Sequence, residues 1–119
     1  MTERNQFADL VHLTQVRFDS DQARLARITA AENELRAHIG GLTQQQSQRA
    51  LNRSEQLDSA VVMGVDMRWD IWAEQRKTRL NQELARLLVE KEHCVRQMRQ
   101  SFAKHTAAQE LERAGRAAR

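Results

Sequence analysis

Proline is missing from the 119 residues, and so is tyrosine. At average usage a chain of this length would carry about six prolines, so nothing in the sequence forbids a helix from running on without interruption. Glycine occurs only at positions 40, 41, 64 and 115, which leaves few sites for tight turns. Aromatic residues make up 4%, too few for the core of an ordinary globule. A single cysteine, Cys94, excludes an internal disulfide and fits a reducing compartment. No apolar run reaches the roughly 18 residues of a membrane span, and MTERNQF has no signal-peptide pattern. A cytoplasmic protein is expected.

What is abundant is Ala, Leu, Arg, Glu and Gln, all strong helix formers. The expected fold is all-α. Net charge is +3 and unevenly spread: residues 1–60 carry 7 basic and 8 acidic groups, residues 61–119 carry 12 and 8. Nucleic acid is one reading of the basic second half. Glu/Arg pairs at i,i+3 and i,i+4 on a solvated helix surface are the blander and favoured one.

The first half carries a four–three repeat: Phe7, Val11, Thr14, Phe18, Asp21, Leu25, Ile28, Glu32, Leu35, Ile39 and Leu42. Eight of these eleven positions are apolar, the signature of a coiled-coil seam. The second half has Val61, Val65, Trp69, Trp72, Leu80, Leu84 and Leu87 at helical spacing, with a slip in rhythm around Arg76 that reads as a stutter. Equal seam lengths predict two long helices, about 4–52 and about 58–114, in one antiparallel coiled-coil hairpin domain spanning 1–119. The apex is expected near residues 50–60, in the polar QQQSQRALNRSEQLDS, rather than at Gly40-Gly41. Thr2, Ser54 and Asp58 are the expected caps, and Gly115 the stop.

Matching the seams end to end pairs residues whose numbers sum to about 108. Phe7 then meets Phe102, Leu35 meets Trp72 and Ile39 meets Trp69. The polar intrusions Glu32 and Arg76 fall opposite each other, which predicts a structural ion pair that sets register more than it stabilises.

Catalysis finds no support: there is no glycine-rich phosphate loop and no Ser/His/Asp grouping. No cofactor is expected. Glu90, His93 and Cys94 share one side of the second helix but lack the fourth ligand of a structural zinc site. Cys94 falls on the seam, where a free cysteine behaves as a small apolar residue, so no metal is expected. Trp69 and Trp72 read first as seam residues and second as anchors for a partner, the role tryptophan takes at interfaces. Met63, Met67 and Ile71 lie roughly opposite them. A two-helix hairpin covers one face of each helix, so this second stripe faces the apex loop, another copy in a homodimer, or a partner.

These residues resemble the FliJ/YscO group of type III export proteins. The likeness is best over 64–111. There Trp69 and Trp72 form a Trp-x-x-Trp, followed by Arg76, Arg79, Leu80, Asn81, Glu83, Leu84 and Ala85. The tail SFAKHTAAQEL, with Phe102, looks like that group's closing segment. The resemblance implies a non-enzymatic stalk of a flagellar or type III export apparatus. Its terminal helices would enter the pore of a hexameric export ATPase, as the γ subunit does in rotary ATPases. It would also touch the export-gate membrane protein and escort export chaperones, peripherally at the inner face of the membrane. Arg96, Arg99 and Lys104 would then face the ATPase. Met63, Met67 and Ile71 would serve the gate or a chaperone. A generic coiled-coil adaptor is the alternative, and a basic nucleic-acid-binding coiled coil a weaker one.

Overall fold

The structure, a computed structural model, describes residues 2–55 and 60–118, with side-chain environments over 6–53 and 63–118. It is all-α: helix α1 runs Thr2–Glu55 and helix α2 Ala60–Ala117. Helix α1 extends two to three residues beyond its expected bounds of 4–52 at either end, and α2 starts at 60 rather than 58 and ends three residues beyond 114. Gly40 and Gly41 lie inside α1, and α2 continues past Gly115 to Ala117. The expected caps Thr2, Ser54 and Asp58, together with Val61 and Val62, fall outside the described side chains.

All eleven expected seam positions of α1 are buried or half-buried, from Phe7 to Leu42. The same spacing continues through Gln46, Arg49 and Arg53, where the seam turns polar. On α2 the protected line is Asp66, Asp70, Ala73, Lys77, Leu80, Leu84, Leu87, Lys91, Cys94, Met98, Ser101, His105, Ala108, Glu112 and Gly115. This is an unbroken alternation of three and four, so the expected stutter at Arg76 is absent. A strict repeat keeps one line of a helix on its partner, and the chain keeps that line even where it must bury small or polar residues. Val65, Trp72 and Phe102, which hydrophobicity places on the seam, are instead more than half exposed.

Contacts divide the chain into two compact units, Met1–Thr29 with Val89–Arg119, and Ala30–Leu88. In the first, partners descend along α2 as α1 ascends. The ring of Phe7 packs over Gly115, where an added Cβ would lie 3.4 Å from it. Thr14 Oγ1 lies 2.9 Å from His105 Nδ1. Phe18 meets Phe102 at 5.4 Å between ring centroids. The Cys94 thiol points at the Asp21 carbonyl, 3.8 Å away, and Arg24 Nη1 donates to Gln97 Oε1 at 3.3 Å. Small side chains hold the centre: Cys94, Ser101 and Ala108 are 5% exposed or less. Their seven-residue spacing stacks them on one line of α2, and small side chains permit close helix approach.

The second unit has the same opposed order. Gln46 reaches Glu74 and Lys77, Arg49 reaches Asp66, and Arg53 reaches Asp70 and Asp66. Ala73, Leu80 and Leu84 are buried beneath them. In both units the paired residue numbers sum to between 114 and 123, about ten above the expected sum. Three expected pairings are therefore corrected. Phe102 meets Phe18 rather than Phe7. Trp69 lies under Arg49 rather than on Ile39. Glu32 takes Arg36 on its own helix at 2.9 Å rather than Arg76, which stands instead beside Leu42 in an open groove. The physical reason is that the seam does not stop at its last bulky apolar residue. Ser101, His105, Ala108 and Gly115 extend it, and they shift the match of the two helices.

Candidate interaction surfaces

Both units leave large apolar side chains exposed, and in Ala30–Leu88 three of them form a regular stripe. Met63, Met67 and Ile71 recur at i, i+4, i+8 and are 53%, 62% and 57% exposed. Their line is away from the protected one, and Leu51 of α1 is also exposed. Of the three expected coverings of this stripe, the apex loop lies outside the described residues.

The two tryptophans part company. Their rings are 6.3 Å apart and tilted at 46°. Trp69 is half-buried, with the Arg49 guanidinium 4.0 Å from its ring centroid. That guanidinium also faces Asp66 at 3.4 Å, so it is fixed by a carboxylate and an aromatic face together. Arg53 pairs with Asp70 at 2.9 Å. This cluster of Arg49, Arg53, Asp66 and Asp70 was not singled out from sequence. Its signal was available: two arginines four apart on the α1 seam line, and two aspartates four apart on that of α2.

Trp72 is 52% exposed. It walls a groove of about 310 Å³, with Leu42 and Leu80 along it, Ala37 and Gly41 leaving it open on α1, and Arg76 and His38 at its edge. Beside it Gln46 Nε2 donates to Glu74 Oε1 at 2.9 Å, and Lys77 stands 3.4 Å from the same oxygen. The Gln46 amide first, and the Lys77 charge second, hold the Glu74 carboxyl below its ordinary value.

In the other unit, Arg96 is engaged with Glu92 at 2.7 Å on its own helix. Arg99 and Lys104 are exposed. Cys94 is sealed, and Glu90 faces Arg24 at 3.9 Å, so the Glu90/His93/Cys94 trio does not converge. Among the described residues no group of three His, Cys, Asp or Glu side chains is arranged to hold a metal. No helix among them is long and apolar enough to cross a membrane.

Comparison with known proteins adds no relative: no family model matches the chain, nor does any curated sequence or solved structure.

Proposed function

We propose that this chain is a non-enzymatic, helical-hairpin component of a flagellar or type III export apparatus, a stalk that couples the export ATPase hexamer to the export gate and its chaperones. The observation that carries the reading is the uncovered Met63/Met67/Ile71 stripe near the start of α2. Two long helices that leave such a stripe open suit adhesion between larger bodies rather than chemistry. The resemblance over 64–111 supplies the identity of those bodies. In this reading Arg96, Arg99 and Lys104 address the ATPase, and the methionine stripe, with Trp69 and Trp72 nearby, addresses the gate or a chaperone. The protein works in the cytoplasm, peripheral to the membrane-bound apparatus.

The test is co-purification with the export ATPase of the same apparatus. Binding at low salt, weakened by Arg96→Glu with Arg99→Glu, supports the stalk. Absence of binding at low salt removes it. The exposed stripe also favours a second reading, an adaptor that self-associates through Met63, Met67 and Ile71. That reading requires Met67→Glu to abolish a dimer while leaving ATPase binding untouched.

A further inference from the structure

The α2 face that carries Trp72 also carries four arginines: Arg68, Arg76, Arg79 and Arg86. At about 100° per residue, Trp72 and these four fall within roughly 80° of arc. Glu83 is the one acid inside that arc between Arg68 and Arg86. All four arginines are exposed. Among the described residues none has an ion pair or a side-chain hydrogen bond. Of the other acids of this stretch of α2, Asp66 and Asp70 are committed to Arg49 and Arg53, and Glu74 to Gln46 and Lys77. Four arginines against the single carboxylate of Glu83 leave a row of net positive charge alongside the groove walled by Trp72.

A second observation points at the same place. Gly41 borders the groove, and a Cβ built on it would meet nothing within 4 Å. Gly40 and Gly64 are equally open, so what Gly41 contributes is room at the groove for a closely approaching partner.

We infer that the groove between Trp72 and Gly41, with the arginine row beside it, is the docking site for an acidic amphipathic helix. One apolar side chain of that helix enters between Leu42 and Leu80, and its carboxylates, spaced by three and then seven residues, face Arg76, Arg79 and Arg86. Charge complementarity selects the partner's sign. The straight row on a helix selects its periodicity. The groove is mixed, Leu42, Leu80 and Trp72 alongside His38, Gln45 and Arg76; its apolar part accepts a side chain, which a phosphate chain lacks, although single-stranded nucleic acid also stacks on exposed tryptophan. None of its arginines is among those assigned to the ATPase, and it shares with the export reading only Trp72, assigned there to the gate or a chaperone.

The probe is a synthetic amphipathic helix of about 25 residues, long enough to be helical, with leucine on a four–three repeat and glutamate flanking it. A glutamine version is the control. Both are titrated into the full chain carrying Trp69→Phe, so that emission reports Trp72, at about 50 mM salt. The glutamate peptide should bind at least about tenfold more tightly than the glutamine one and blue-shift Trp72. Arg76→Glu with Arg79→Glu should erase that preference. Gly41→Met should weaken binding several-fold while circular dichroism keeps the full helix content. Arg96→Glu with Arg99→Glu, the same change of charge elsewhere, should leave peptide binding unaltered, which separates this site from the ATPase surface. Equal or absent binding of the two peptides overturns the inference. So does an oligothymidylate that quenches Trp72 when the glutamate peptide does not bind, since the row would then read phosphates.

Discussion

Unit Met1–Thr29 with Val89–Arg119 joins its helices over three small side chains on one line, Cys94, Ser101 and Ala108, and encloses polar groups among them: Asp21 and His105 are 5% and 6% exposed. Unit Ala30–Leu88 shares the spacing but spans much of its seam with long charged side chains, Arg49, Arg53 and Lys77, over a shorter apolar strip of Ala73, Leu80 and Leu84. One repeat thus supports two kinds of adhesion. Where small residues line up, contact is dry and intolerant of size. Where arginines and aspartates line up, contact is wet, adjustable and open to salt. The exposed Met63, Met67, Ile71 and Trp72 all belong to the second unit.

The largest effect should come from enlarging the dry contact. Ala108→Leu forces a bulky side chain into a position 1% exposed and should cost about 1–3 kcal/mol. It should lower the thermal midpoint and raise amide exchange within Val89–Arg119. Tolerance of leucine there would mean that the small residues do not set the helix approach.

Asp21 should give a change of opposite sign. Its Oδ2 has no hydrogen-bond partner among the described residues, and Arg17 Nε, itself largely exposed, stands 3.5 Å away at ion-pair range only. Replacing a buried, poorly satisfied charge by an apolar residue should stabilise by about 1–2 kcal/mol. Denaturant melts of Asp21→Leu read this directly, and a loss of stability would show that the carboxylate holds the unit together.

Arg53→Ala should do less. It removes contacts to Asp66 and Asp70 whose side chains are about a third exposed or less, worth about 0.5–1 kcal/mol together after screening. The loss should shrink in high salt, whereas the Ala108→Leu penalty should not. Equal salt dependence of the two would dissolve the contrast between the units.

The smallest effect is a titration. Glu74 is held below its ordinary value by Gln46 and then Lys77. A depressed carboxyl contributes stability above its unfolded value, ordinarily 4.5, and loses it as pH falls through the folded one. In Gln46→Ala the Glu74 carboxyl, followed by NMR, should titrate nearer 4.5. No movement would mean that the amide contact is not made in solution.

Much of this was legible in the sequence. The α1 seam could be read residue by residue because its apolar positions are large and evenly spaced, and Gly40-Gly41 could be passed over because the seam continued beyond it. On α2 the reading held from Leu80 to Met98 and failed on either side. There the bulky residues, Trp72 and Phe102, lie one step off the line that Ala73, Ser101 and His105 occupy. Hydrophobicity favours the large residue, whereas close helix approach favours the small one. The register error followed from the same cause, since the seam was ended at Phe102 when its small residues carry it to Gly115. The arginine row was invisible for a different reason: a row of arginines says nothing until Asp66, Asp70 and Glu74 are seen to be occupied by other partners.

The enclosure of Cys94 makes the chain its own stopwatch. Its thiol is wholly shielded, and it is the only sulfhydryl present. An alkylating reagent can reach it only during moments when the surrounding helices separate. The pace of labelling therefore counts those separations, and any ligand that slows the clock clamps that end of the molecule shut.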